Sequence, residues 1–215
     1  MSLPFKNIIF DLDGTLTDSL PGISNCFKHA LASLGYDYSA RSDWSWIVGP
    51  PLLESFTELL GAEAAPRAVE LYRERFGEIG WCENSLYPGI AELLERLSLN
   101  AALYIATSKP QVYTERILEH FGIARFFTGV CGAEMTGARR HKDEIMKHLL
   151  DTFAIAPETA LMVGDRDLDI NAAHKLGIEA VGVSYGFGSL AELALARADY
   201  FCRTVEELTG LLVTE

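Results

Sequence analysis

Four short apolar runs in this chain each break into small or polar residues at their carboxyl ends. Asn7-Ile8-Ile9-Phe10 leads into Asp11-Leu12-Asp13-Gly14, and Leu103-Tyr104-Ile105-Ala106 leads into Thr107-Ser108. Ala160-Leu161-Met162-Val163 leads into Gly164-Asp165, and Glu179-Ala180-Val181-Gly182-Val183 into Ser184-Tyr185-Gly186. Runs this short, with no polar alternation, suit strands buried on both faces, and such strands belong to parallel sheets. Helical patterns are predicted between them at 89–97 after Pro88, 112–120 ahead of Gly122, 142–153, and 170–176 ahead of Gly177. The alternation predicts an α/β fold, a Rossmann-like parallel sheet with helices on both faces.

Residues 17–86 break that rhythm. Helical patterns fill 22–34, 52–60 and 66–76, closed by Gly35, Gly61 and Gly77, with no convincing buried strand between them. The expected organisation is a core of 1–16 and 87–215 with a helical domain, 17–86, inserted after the first strand. Such an insertion leaves the sheet at its carboxyl edge, where ligands of open α/β folds bind, so it is placed to act as a lid.

Composition narrows the partners. With 215 residues, 49% of them hydrophobic, the chain has material for one substantial core and an accessory domain. Its net charge of -12 repels nucleic acid polymers and anionic membranes, which favours a small substrate. A small anion remains compatible, because a metal ion and a few cations reverse the field locally. Cys26, Cys82, Cys131 and Cys202 are far apart and show no zinc-ligand spacing, so they read as reduced thiols. No apolar run is long enough to span a membrane, and Met1 to Lys6 carries no apolar stretch of a secretory signal, so the expected location is the cytoplasm. The sequence leaves oligomeric state open.

The residues that end the predicted strands include Asp11, Asp13, Thr107, Ser108, Asp165, Asp167 and Asp169. A parallel sheet brings such strand ends to one crevice. Carboxylates gathered there need a cation, and oxygen-only ligands suit magnesium. A calcium loop starting at Asp165 is excluded, since Ile170 stands where glycine is needed and Leu176 where a bidentate glutamate is needed. A dinucleotide-binding fold lacks its glycine fingerprint after the first strand.

Asp11-Leu12-Asp13-Gly14-Thr15-Leu16, the hydrophobic run into Thr107, Lys142, and Gly164-Asp165 with Asp169 resemble, in order and spacing, the four motifs of the haloacid dehalogenase superfamily. The resemblance covers essentially the whole chain, with 17–86 similar to that family's helical cap. Val48-Gly49-Pro50-Pro51-Leu52, Ala106-Thr107-Ser108-Lys109-Pro110 and Val163-Gly164-Asp165-Arg166 resemble the branch of phosphoglycolate phosphatases and 5′-nucleotidase-like proteins.

The resemblance implies a phosphatase in which Asp11 attacks phosphorus and forms an aspartyl-phosphate, while Asp13 protonates the leaving oxygen and later takes a proton from water. It implies Mg²⁺ held by Asp11, Asp165 and the backbone carbonyl of Asp13, with Asp169 orienting a water or a lysine. Thr107 would donate to a phosphoryl oxygen, with Ser108 as helper, and Gly14 and Thr15 would line the phosphate. Lys142, at the start of a predicted helix, would neutralise Asp11 and the phosphoryl group, with Lys109, Arg139 and Arg140 as rivals.

In the cap, Gly49 and Pro50 would contact substrate or simply connect helices. Arg41, Arg73 and Arg75 are candidates for a substrate carboxylate, although Tyr72-Arg73-Glu74-Arg75 reads better as a solvated helix face. Trp44 and Trp46 are suited to stack on a nucleobase or to pack internally. The substrate implied is a small phosphorylated metabolite, phosphoglycolate or a nucleoside 5′-monophosphate. Two other readings stand beside it: a sugar-phosphate phosphomutase, and a regulatory protein that merely accepts phosphate on Asp11. Intact Asp13 argues against the second, which has no use for a leaving-group acid.

Overall fold

The computed structural model describes residues 5–135, 139 and 141–213. Arg140 and residues 1–4, which figured in the sequence reading, lie outside them. The chain runs β1 (Asn7–Phe10), β2 (Thr17–Asp18), α1 (Leu20–Ser33), α2 (Leu52–Leu60), α3 (Ala65–Glu78), β3 (Ser85–Leu86), α4 (Ile90–Ser98) and β4 (Ala102–Pro110). It continues through α5 (Gln111–His120), β5 (Phe127–Ala133), α6 (Lys142–Phe153), β6 (Ala160–Gly164), α7 (Asp167–Lys175), β7 (Glu179–Val183), α8 (Leu190–Leu195), β8 (Tyr200–Cys202) and α9 (Val205–Leu212).

Six strands form one parallel sheet in the order β5-β4-β1-β6-β7-β8, and β2 and β3 form a separate pair. β1 is interior, with Phe10 level with Ile105 on β4 and with Val163 on β6. Side chains alternate across the sheet. Ile9, Tyr104, Met162 and Ala180 share a core with Ile145, Met146 and Leu149 of α6 and Ile170 and Ala173 of α7. Ile8, Phe10, Leu103, Ile105, Leu161 and Val163 point the other way and are equally buried. Burial on both faces is why these strands read as continuous apolar runs.

The chain divides into two compact units, one of Met1–Thr17 with Leu86–Glu215 and the other of Asp18–Ser85. In the second, Phe27 of α1 stacks on Phe56 of α2 at 4.2 Å between ring centroids, with Tyr72 of α3 edge-on at 5.3 Å. No helix among the described residues is long and apolar enough to cross a membrane.

The structure differs from the sequence reading at several places. β4 does not stop at Ala106; it continues through Thr107 and Ser108 to Pro110, with an irregular register against β5 between Thr107 and Pro110. α7 begins at Asp167, three residues before the apolar pattern shows it, because acidic residues in a first turn favour the positive end of the helix dipole. β5 is interrupted by glycines and carries no strand signal of its own. At Gly129 a Cβ would lie 2.1 Å from the Phe153 ring, so the residue that hides the strand is the one that lets α6 pack on it. β8, α8 and α9 also went unread.

Leu149 is fully buried between α6 and the sheet. Leu149→Ala is expected to cost about 2–5 kcal/mol, by lost burial and the cavity left behind, read as a lower urea midpoint at unchanged m-value.

Candidate active site

Asp11 leaves the carboxyl end of the interior strand, its N–H donating to the Val163 carbonyl at 2.9 Å and extending the ladder one step past β1. Because Phe10 is level with Ile105 and Val163, residues two positions further on each neighbour, Thr107 and Asp165, emerge at the same edge.

Lys142, the first residue of α6, reaches this edge with its side chain 5% exposed. Its Nζ lies 2.8 Å from Asp11 Oδ1, 2.7 Å from Asp169 Oδ1 and 3.0 Å from the Ala106 carbonyl. The two carboxylate contacts are ion pairs, and the Ala106 carbonyl accepts a hydrogen bond. Burial pulls the ammonium down, but Asp11 and Asp169 outweigh it and hold the lysine above its ordinary range.

Asp169 is the third residue of α7. Its Oδ2 accepts the Arg166 N–H at 3.1 Å, capping the helix, which turns Oδ1 toward Lys142. Burial lifts its carboxyl to about 6, with Lys142 pulling down and Asp11 pushing up. A Cβ on Gly164 would lie 2.4 Å from the Asp169 carboxyl, so β6 must end in glycine for this helix to start where it does.

Asp165 is wholly buried. Thr15 Oγ1 donates to its Oδ1 at 3.3 Å, and the Phe187 N–H donates to its Oδ2 at 2.8 Å. Burial first, then Asp169 and Asp11, push its carboxyl well above the usual range. Gly14 adopts φ +86°, and a Cβ there would fall 2.2 Å from Asp165 Oδ2. The loop after β7 closes the other side: a Cβ on Gly186 would lie 2.2 Å from the Gly14 carbonyl, and the Tyr185 hydroxyl donates to the Thr15 carbonyl at 3.0 Å. Sequence reading assigned Tyr185-Gly186-Phe187-Gly188 no role. Its signal was position, a glycine-rich turn at the end of a strand of this sheet.

One carboxylate oxygen each from Asp11, Asp165 and Asp169 lie within 4.8 Å of one another. A buried, oxygen-only donor set of this kind fits a hard divalent cation. The Asp13 carboxylate lies outside that set: its Oδ2 is 2.9 Å from Lys109 Nζ. Lys109 is therefore a buried member of the site, while Arg139 pairs with Glu134. Thr107 is buried and accepts the Lys109 N–H at 3.3 Å, which leaves its own hydrogen to donate; Ser108 is half-buried beside it.

The remaining candidates belong to the helical unit. Gly49 and Pro50 form the turn ahead of α2. Arg75 is not on a solvated face: it makes a bidentate pair with Glu83 at 2.7 and 2.9 Å. Arg41 lies over the rings of Trp46 at 4.9 Å and Trp44 at 5.8 Å, beside an open cavity of about 540 Å³. Trp44 is buried, as a packing residue would be.

The family described as haloacid dehalogenase-like hydrolase matches residues 8–183. A 5′-nucleotidase of Pseudomonas aeruginosa is 42% identical, over 98% of this chain and 97% of its own length. The tyrosine-protein kinase PtkA of Mycobacterium tuberculosis is 39% identical over 92% of this chain, which spans 65% of that protein. The crystal structure of a predicted phosphatase from Clostridium acetobutylicum has a TM-score of 0.91 and 38% identity, covering 96% of this chain and 97% of that one.

In metal-free protein, Asp165 and Asp169 keep protons that the unfolded chain releases near pH 4. Their stabilising contribution is full below about pH 4 and is lost as pH rises through the folded value, about 6 for Asp169. Asp169→Asn removes the group whose folded value lies near 6 while keeping an oxygen to cap α7. In EDTA, the Tm of the parent protein is expected to fall more between about pH 5 and pH 7.5 than that of D169N, as read by circular dichroism melts.

Proposed function

Because the chain belongs to the haloacid dehalogenase-like hydrolase family, we propose that it is a magnesium-dependent phosphatase that hydrolyses nucleoside 5′-monophosphates through an aspartyl-phosphate on Asp11. The observation that carries this reading is the environment of Asp11: its carboxylate is aligned by Lys142 at 2.8 Å, at the edge where Asp13, Thr107 and Asp165 also emerge. Phosphomonoester hydrolysis is the reaction class. The choice of nucleotide is supported by the relative named 5′-nucleotidase, which matches over nearly the full length of both chains.

In the first half-reaction an Asp11 oxygen bonds to phosphorus as the bond to the ester oxygen breaks, and Asp13 gives that oxygen its proton. In the second, water attacks phosphorus, the Asp13 carboxylate takes its proton, and phosphate leaves as Asp11 is restored. Dividing one hydrolysis into two in-line transfers lowers each barrier. Thr107 offers its hydroxyl hydrogen to a phosphoryl oxygen. Lys142 is ion-paired to Asp11 and Asp169 and bonded to the Ala106 carbonyl, so its part is to hold the nucleophile and balance charge. Asp11, Asp165 and the Asp13 carbonyl would hold Mg²⁺, which would supply positive charge where a phosphate dianion approaches an acidic edge. Asp169 orients Lys142. The helical unit acts as the cap, with Gly49 and Pro50 among its substrate contacts, and the protein works in the cytoplasm.

Turnover of p-nitrophenyl phosphate is expected to require Mg²⁺, to stop in EDTA, and to fall at least about 10³-fold in Asp11→Asn, measured as released nitrophenolate; undiminished turnover in either case rejects the mechanism. Across a panel of phosphate esters, kcat/KM is expected to be highest for nucleoside 5′-monophosphates. A maximum on phosphoglycolate would shift the substrate to the other member of the branch the motifs resemble. Isomerised sugar phosphate with little free phosphate would identify a phosphomutase, and a lasting phosphoenzyme without turnover a regulatory acceptor.

A further inference from the structure

The reaction above asks Asp13 to carry a proton, yet its carboxylate is tied to a buried cation. Lys109 Nζ lies 2.9 Å from Asp13 Oδ2, with the two side chains 5% and 12% exposed. The other oxygen, Oδ1, is buried without a hydrogen-bond partner among the described residues. A buried carboxylate oxygen left unpaired is costly unless a transient partner uses it.

The backbone that presents Lys109 has contacts on both sides. Its N–H donates to Thr107 Oγ1 at 3.3 Å, and its carbonyl lies 3.5 Å from the Thr114 hydroxyl, which also donates to the Pro110 carbonyl at 3.2 Å. At Gly132 on β5 a Cβ would lie 2.7 Å from that carbonyl, so glycine is needed for β5 to lie this close. The irregular β4 register falls between Thr107 and Pro110, and a break of this kind at a strand end re-aims a side chain.

We propose that Lys109 is a positioning residue for proton transfer, gripping Oδ2 of Asp13 so that Oδ1 is the oxygen that passes the proton to the leaving group and takes it back from water. This rests on Asp13 being the acid of the proposed phosphatase. Lys142, with three acceptors inside the protein, serves the nucleophile, and Lys109 serves the acid.

The test is leaving-group dependence. An alkyl phosphate needs a proton on its departing oxygen, whereas 2,4-dinitrophenyl phosphate departs without one. In Lys109→Met, kcat/KM is expected to drop about 30-fold or more on the alkyl ester and less than about 3-fold on the dinitrophenyl ester, with inhibition by inorganic phosphate unchanged. Equal losses on both esters with weakened phosphate inhibition would overturn the proposal and make Lys109 a phosphate ligand. Equal losses with unchanged inhibition would overturn it in favour of a packing role.

Asp13→Asn is the control. A leaving-group split in D13N but not in K109M defeats this proposal alone, whereas no split in D13N defeats the acid role of Asp13 and with it the parent reading. Should K109M fold poorly, the comparison of D13N with D13N/K109M still decides. A further loss on the alkyl ester below about 3-fold supports action through Asp13, and a larger one overturns it.

Discussion

Carboxylates crowd the carboxyl end of one interior strand, and much of the structure exists to make that crowding tolerable. Asp11, Asp165 and Asp169 are buried within a few ångströms of one another, and Asp13 follows two residues after the first. Like charges at this spacing in a dry site repel strongly. Lys142 answers with an ammonium ion-paired to Asp11 and Asp169 and bonded to a β4 carbonyl, and Lys109 answers on Asp13. Two ammoniums do not neutralise four carboxylates. The three buried carboxylates that remain close together could hold a divalent cation.

The same contacts explain the glycines around the site. Gly14, Gly164 and Gly186 each stand where a Cβ would enter the Asp165 or Asp169 carboxyl. At Gly14 the backbone is also left-handed, so a side chain would be strained as well as crowded. Buried carboxylates held this way lose little entropy when a ligand arrives, because their rotamers are already chosen by the fold.

The candidate site at Asp11 was legible in the sequence through local order. Asp11-Leu12-Asp13-Gly14 after an apolar run is visible without any contact, and so are Thr107, Lys142 and Asp165 in the resembled motif order. Lys109 and Tyr185-Gly186-Phe187-Gly188 were not legible in the same way. A lysine two residues past Thr107 reads as surface charge until the β4 irregularity turns it inward, and a glycine-rich turn reads as a connection until its amide is seen on Asp165. β5 was hidden for a related reason, since its glycines serve the packing of Phe153 and the β4 backbone rather than a strand pattern.

The sequence by itself determined the alternation of buried strands and helices, hence a parallel α/β sheet, and the residue types that end those strands. These are properties of neighbours in the chain, decided by side-chain period and turn chemistry. Tertiary structure decided which charge meets which: Lys142 with Asp11 and Asp169, Lys109 with Asp13, and Phe187 with Asp165. Those pairings join residues from about twenty to more than a hundred positions apart, and their worth depends on burial and on distances of a few ångströms, which spacing along the chain does not encode.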